Sequence, residues 1–179
     1  MTRSIGRMAS LVVVVVLALA APARAEMNPR FAPLKALLGK TWRGDFPVAA
    51  GAKPVVDVSR FELALNGQAI RNLHSINQGE YGGESLIVWD KQKQGLVYYY
   101  FTTAGFYTTG DMSIEDGALL SHELVKGDAD GITEVKGVSR VLPDGRLHVQ
   151  TQYLKSGAWV PGRDVYYVED AAATVRFKE

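Results

Sequence analysis

The amino-acid sequence predicts an all-β protein. We expect an antiparallel up-and-down meander of about ten strands, closed into a barrel and preceded by one short N-terminal helix. Turn pairs such as Asn66-Gly67, Asp116-Gly117 and Asp144-Gly145 recur along the chain. Asn-Gly and Asp-Gly are strong hairpin signals, because type I′ turns need a positive φ at both central residues. Strands joined by short hairpins pair antiparallel in chain order, and closure into a barrel removes the exposed edges of the sheet.

The helix and the strands follow from local composition. The helix is predicted over residues 33–38, because proline is favoured in the first turn of a helix and Gly39 suits its end. No helical period returns after Gly39, and runs of β-branched and aromatic residues alternate with turn signals instead. The predicted strands are residues 41–46, 55–65, 69–76, 86–89, 96–103, 106–112, 119–125, 133–141, 147–154 and 165–168.

The first 25 residues are predicted to be a secretory signal peptide. Arg3 and Arg7 form its basic start, residues 11–21 are its apolar run, and Ala23-Arg24-Ala25 is the peptidase site. The apolar run is too short for a membrane-spanning helix, which needs about 20 apolar residues. We therefore expect cleavage before Glu26, a single mature domain over residues 26–179, and a periplasmic or secreted protein with no remaining membrane span.

Composition excludes several classes of protein. The 179 residues include 20 Lys and Arg, 19 Asp and Glu, three His and no Cys. A chain this close to neutral lacks the basic excess typical of nucleic-acid-binding proteins. Without cysteine, the chain has no disulfide framework, thiolate nucleophile or iron–sulfur cluster.

Alternation along the strands predicts which side chains face the barrel interior, since successive residues of a strand point to opposite faces. The predicted interior wall consists of Phe61, Leu63, Leu120, Leu124, Val149 and Tyr153. Residues 96–101 are apolar or aromatic at every position, which predicts burial on both faces. The outer face of this strand would then be covered by the N-terminal helix or by a partner chain, as in a homodimer. The alternative is that its aromatic side chains face a ligand.

The helix-to-strand junction points to a family. Residues 37–44 join the predicted helix to the first strand through a glycine and a tryptophan, and glycine-separated strands follow. In this respect the chain from Pro33 to Tyr167 resembles the calycin superfamily, which includes lipocalins and fatty-acid-binding proteins. It is most similar to uncharacterised exported bacterial lipocalin-like domains. Lipocalins usually carry Gly-x-Trp, whereas residues 39–42 here read Gly-Lys-Thr-Trp.

The resemblance implies a calycin-like barrel with a small apolar or amphipathic ligand in its interior. It also implies that Trp42 closes the barrel floor and packs against a basic residue of a late strand, such as Arg163 or Arg176.

Polar side chains between apolar neighbours predict where a ligand would bind. Asn72 and His74 alternate with Ile70 and Ile76, so the sequence places an amide and an imidazole on an apolar face. Apolar walls with a few convergent polar groups are typical of small-molecule sites. The candidate ligand-binding residues are Asn72, His74, Tyr98, Tyr100, Tyr107, His122 and Tyr153.

No metal or cofactor is predicted. His74, His122 and His148 show no metal-ligand spacing, and residues 127–131 lack the third acidic ligand of a calcium loop and a glutamate at the required distance. Two other functions stay open. One is an enzyme in which a histidine and a tyrosine provide acid–base chemistry in the cavity. The other is a non-catalytic structural or interaction protein with a packed barrel, which a cavity below about 300 Å³ would favour.

Overall fold

The computed structural model describes residues 26–178, and it confirms the predicted all-β barrel. The predicted signal peptide, residues 1–25, lies outside the described residues. Within residues 26–178, no helix is long and apolar enough to cross a membrane.

Ten strands follow a short 3-10 helix, Pro29–Leu37, and a 3-10 turn, Leu65–Gly67, separates the second strand from the third. The strands are β1 (Thr41–Asp45), β2 (Val56–Ala64), β3 (Ala69–Ile76), β4 (Tyr81–Asp90), β5 (Gly95–Thr102), β6 (Tyr107–Glu115), β7 (Ala118–Lys126), β8 (Ile132–Val141), β9 (Leu147–Lys155) and β10 (Ala158–Glu169). Each strand pairs antiparallel with its neighbours in the chain, and β10 closes the barrel by pairing with β1. This closed antiparallel barrel is compatible with a calycin-like fold.

The predicted strands depart most from the structure in β10, which begins at Ala158 and not at residue 165, and in β4. The sequence predicts a strand over residues 86–89 that follows a turn, but β4 begins at Tyr81 and contains Gly82 and Gly83. The turn comes earlier, where Asn77, Gln78 and Gly79 all have positive φ. Gly83 suits this strand position because the Tyr100 ring lies against it and leaves no room for a side chain.

The N-terminal helix closes one end of the barrel. It starts at Pro29, earlier than predicted, because the Asn28 side chain caps it by accepting a hydrogen bond from the Arg30 amide at 3.0 Å. The buried side chains of Phe31, Leu34 and Leu37 pack into the main apolar core of the barrel. This end of the barrel is therefore a closed apolar floor.

Trp42 belongs to the same core and is completely buried. Its indole Nε1 donates a hydrogen bond to the Leu37 carbonyl oxygen at 3.4 Å, which ties β1 to the helix. The predicted basic partner from a late strand is wrong. The cation over the Trp42 ring is Lys40, 5.2 Å from the ring centroid, whereas Arg163 lies over the Phe46 ring. Because Lys40 is only two residues from Trp42 in the sequence, its ammonium group takes the place over the indole ring that was predicted for a late-strand arginine.

The N-terminal helix does not cover the outer face of β5, which was one of the two predicted arrangements. Tyr99 is 46% exposed and Phe101 is 51% exposed. The Phe101 ring stacks on Tyr107 of β6, with 5.9 Å between centroids. The helix packs into the floor, and no other segment within residues 26–178 buries these rings. The continuous apolar run of β5 therefore places Tyr98 and Tyr100 inside the barrel and leaves an aromatic patch outside.

Candidate ligand cavity

The barrel is hollow. It encloses a cavity of about 850 Å³, which lies between the apolar floor and the opposite, open end. Leu37, Ile87 and Leu147 line the floor end of the cavity. Polar side chains from most strands line the wall above them. A cavity of this size lies within the range of sites for small molecules, about 300–1,000 Å³.

Tyrosine rings lie along the wall and leave the interior open. Tyr100 of β5 leans over Gly83 of β4, where a Cβ atom would come within 2.4 Å of the tyrosine ring. The same close approach occurs for Tyr98 over Gly110, Tyr153 over Gly162 and Tyr167 over Gly44. Glycine in a strand interior often marks such an approach by a neighbouring group. Because each ring occupies the space of a missing side chain, the rings do not fill the centre of the barrel.

Asp57 of β2 is the centre of the first polar cluster on the wall and is 1% exposed. Its Oδ1 atom lies 3.1 Å from Nδ1 of His74. Its Oδ2 atom accepts hydrogen bonds from the Tyr167 hydroxyl at 2.8 Å and from Arg163 Nη1 at 3.2 Å. Gly44 of β1 pairs with Tyr167 on one side and with Asp57 on the other, so the tyrosine reaches the carboxylate across the glycine.

These contacts keep Asp57 ionised. Burial alone would raise the pKa of Asp57, but the hydrogen bond and charge of His74 oppose that effect. The charge of Arg163 and the hydrogen bond from Tyr167 add to this opposition, and the pKa of Asp57 ends below its ordinary value. A buried carboxylate is tolerated where it is paired and hydrogen-bonded, as it is here.

A chain of hydrogen bonds runs from Asp57 to Tyr81. Nε2 of His74 lies 2.6 Å from the Tyr100 hydroxyl, and that hydroxyl lies 2.9 Å from the hydroxyl of Tyr81. Since the carboxylate of Asp57 can only accept, the imidazole donates through Nδ1. In a neutral imidazole Nε2 then accepts from Tyr100, and Tyr100 accepts from Tyr81. Burial raises the pKa of both Tyr81 and Tyr100, so both phenols keep their protons.

Glu123 of β7 forms a second polar cluster. Its Oε2 atom accepts a hydrogen bond from Thr108 at 2.7 Å. Gly110 of β6 pairs with both Tyr98 and Glu123, so the tyrosine is aimed at the carboxyl across a glycine. The Tyr98 hydroxyl lies near Glu123 and Ser121, but it makes no hydrogen bond of acceptable geometry within residues 26–178. Burial raises the pKa of Glu123 above its ordinary value.

The structure brings five of the seven candidate site residues together. Asn72, His74, Tyr98, Tyr100 and Tyr153 line the cavity. Asn72 accepts a hydrogen bond from Ser59 at 2.7 Å through its side-chain oxygen.

The other two candidates, Tyr107 and His122, lie on the outer face of the barrel. Tyr107 stacks on Phe101, and His122 Nε2 lies 2.7 Å from a carboxylate oxygen of Glu134. Their predicted inward orientation is wrong. The interior residues of β6 include Thr108, and those of β7 include Glu123.

The predicted interior wall is correct on β2 and β9 and wrong on β7. Phe61, Val149 and Tyr153 line the cavity, and Leu63 packs against the core. Leu120 and Leu124 do not line it, and Leu124 is 44% exposed. On β7 the set that faces inward is Leu119, Ser121, Glu123 and Val125. The more apolar set of alternating residues on β7 faces outward, because the interior of this hollow barrel is partly polar.

Sequence reasoning missed several polar residues of the cavity: Asp57, Tyr81, Glu123, Arg163 and Tyr167. Asp57 lies on the same face of β2 as Phe61, so alternation along the strand could have identified it as an interior residue. Arg163 lies within an irregularity in the pairing of β10 with β9, between Pro161 and Asp164, and simple alternation fails across such a shift.

No group of three His, Asp or Glu side chains within residues 26–178 is arranged to hold a metal ion. A scan of the chain against protein-family models gives no match, and a search of curated proteins finds no relative. The function proposed below therefore rests on the geometry of the cavity.

Proposed function

We propose that this protein binds a small amphipathic molecule inside its barrel. The observation that carries the proposal is a cavity of about 850 Å³ with an apolar floor and a polar wall. In a purely structural barrel, side chains would fill the interior, because protein interiors are close-packed. An open cavity of this size therefore favours a binding function. The cavity is well above the volume of about 300 Å³ below which a packed barrel would be favoured.

The lining determines how such a molecule would be oriented. Its apolar part would lie towards the floor, against side chains such as Leu37 and Ile87. Its polar part would meet the wall, where Arg163 and the phenols of Tyr81 and Tyr100 offer hydrogen bonds. The Asp57 and Tyr167 contacts of Arg163 are both made through Nη1, which leaves the rest of the planar guanidinium to face the cavity.

The proposal includes export to the periplasm or the exterior. It is supported by the basic start, the apolar run and the Ala23-Arg24-Ala25 sequence of the first 25 residues. We place the chain among lipocalin-like exported proteins on the same basis, together with its resemblance to calycins. N-terminal sequencing of the exported protein should give Glu26 as the first residue, and a chain that still begins at Met1 would overturn this part.

The direct test of ligand binding is native mass spectrometry of the purified protein, followed by titration with a neutral apolar fluorescent dye, N-phenyl-1-naphthylamine. Ser139 of β8 lines the cavity, whereas its neighbour Val138 faces outward and is 41% exposed. We expect Ser139→Trp to weaken dye binding severalfold, because the indole would occupy cavity space. The matched control Val138→Trp should leave binding unchanged. Equal binding by both variants would show that the dye does not enter the barrel.

One observation favours an enzyme as a second candidate, the hydrogen-bond chain Asp57–His74–Tyr100. Such a chain could supply acid–base chemistry. However, burial raises the pKa of Tyr100, so its phenol stays protonated and serves as a hydrogen-bond donor. Tyr100 gives this proton to His74, so the chain is a fixed hydrogen-bond network, and binding is therefore the function that the geometry supports best.

A further inference from the structure

The Glu123 carboxyl faces the cavity and contacts no cation within residues 26–178. β7 lies on the opposite side of the barrel from β2, which carries Asp57. Asp57 contacts both Arg163 and His74, whereas Glu123 forms no ion pair within residues 26–178. The hydrogen bond that Glu123 does receive comes from the uncharged hydroxyl of Thr108. A half-buried carboxylate that pairs with no cation is unfavourable, so a cation that reaches this wall would be bound.

Two hydroxyl groups beside Glu123 can donate to an ionised carboxylate. Thr108 donates to one of its oxygens, and the Tyr98 hydroxyl lies nearby. Tyr98 is 4% exposed, and its hydroxyl is a buried donor that has no acceptor within residues 26–178. Leaving such a donor unpaired is unfavourable, and an ionised Glu123 could accept from it after a small side-chain adjustment. The site therefore has donors for a carboxylate but lacks the opposite charge.

We propose that Glu123 binds a positively charged amine, and that the ligand of this barrel is a small amphipathic amine. The inference rests on the proposed function, since it requires a molecule in the cavity. Val125 and Val135 lie beside Glu123 on the cavity wall and would contact the hydrocarbon next to the amine. An ammonium group would donate to the carboxylate, and charge-assisted hydrogen bonds of this kind are the strong ones.

The charges of the cavity discriminate between head groups. Arg163 and Asp57 neutralise each other, so an ionised Glu123 leaves the two clusters together with a net negative charge. A carboxylate ligand would be repelled, and an alcohol would gain a hydrogen bond without a charge interaction. The expected order of affinity for ligands of equal chain length is therefore amine, then alcohol, then carboxylate.

Displacement of bound N-phenyl-1-naphthylamine tests this order. The three competitors are octylamine, 1-octanol and octanoate, measured at pH 8. For the natural sequence we expect octylamine to displace the dye at a concentration about tenfold or more below that of 1-octanol, as expected for one charge-assisted hydrogen bond. In Glu123→Gln this preference should disappear. Glu134→Gln, which changes a carboxylate on the outer face beside His122, should keep it.

A second measurement needs no variant and guards against misfolding of Glu123→Gln. Burial raises the pKa of Glu123, while the hydrogen bond from Thr108 and the nearby Tyr98 hydroxyl oppose the increase. The charges of Arg163 and His122 oppose it as well. The preference for octylamine should therefore fall as the pH is lowered from 8 to 4, because Glu123 becomes neutral while the amine stays charged.

The outcomes separate the two proposals. Dye binding with equal displacement by octylamine and 1-octanol would overturn the amine site and leave the binding function in place. A preference that survives in Glu123→Gln would also overturn it. Absence of dye binding and of any displacement would overturn both.

Discussion

Tyr167 and Asp57 are 110 residues apart in the sequence, yet the Tyr167 hydroxyl donates to Oδ2 of Asp57 at 2.8 Å. The contact exists only because β10 closes the barrel on β1 and Gly44 leaves room for the tyrosine ring between them. Closure of the barrel therefore also assembles the first polar cluster of the cavity. Changes at this cluster should report on the stability of the whole fold.

Asp57→Asn should lower the free energy of unfolding by about 3–5 kcal/mol, because it leaves the half-buried guanidinium of Arg163 beside a neutral amide instead of a buried carboxylate. The control is Asp45→Asn, whose exposed ion pair with Arg43 should contribute less than about 1 kcal/mol. Urea denaturation at pH 7 measures both. A loss at Asp57 no larger than that at Asp45 would show that this ion pair does not stabilise the fold.

The same carboxylate should contribute to acid sensitivity. Although burial opposes the shift, the contacts with His74, Arg163 and Tyr167 lower the pKa of Asp57 in the folded protein. Its contribution to stability is thus fully present above the ordinary pKa of about 3.9 and is lost as the pH falls through the lowered folded value. Urea midpoints between pH 6 and pH 2 should fall less steeply in Asp57→Asn than in the natural sequence. Parallel curves would contradict this expectation.

Glu123→Gln should have the opposite dependence on pH. Burial raises the pKa of Glu123 in the folded protein, so its ionisation opposes folding as the pH rises through that raised value. We expect the variant to be more stable than the natural sequence at pH 8 and equally stable near pH 4, where both side chains are neutral. Thermal unfolding at the two pH values tests this. Lower stability of the variant at pH 8 would contradict it.

His74→Phe should lower the free energy of unfolding by about 1–3 kcal/mol, because Asp57 and Tyr100 would each lose a buried hydrogen-bond partner. Both ring nitrogens are occupied by protein groups, so dye binding should change little. His122→Phe is the control, since His122 lies on the outer face. A variant that keeps its stability but binds the dye more weakly would instead show that His74 contacts the ligand.

Gly44→Ala should destabilise the barrel by about 1–3 kcal/mol, because the new Cβ atom would lie 2.7 Å from the Tyr167 ring and force a shift. Gly95→Ala is the matched control at another strand position, where the nearest atom would be 3.9 Å away. The control should stay within about 0.5 kcal/mol of the natural sequence. Equal effects of the two changes in chemical denaturation would remove the packing role assigned to Gly44.

The sequence by itself determined the architecture. Hairpin signals such as Asp116-Gly117 have the predicted positive φ at both residues, and β3 begins and ends where its apolar run predicts. Turn chemistry and strand propensity are local, so they can be interpreted without knowing what lies across the barrel. The alternation of β3 likewise identified Asn72 and His74 as interior residues, because both neighbours on that face are apolar.

Only the tertiary structure decided which residues share the cavity. Asp57, Arg163 and Tyr167 come from strands at opposite ends of the chain, and no local pattern joins them. On β7 the hydrophobic pattern predicted the wrong face, because a hollow interior accepts the Glu123 carboxyl while Leu124 lies in the outer wall. Local sequence fixes the period of a strand, but its register against distant strands decides which parity faces inward and which polar groups meet there.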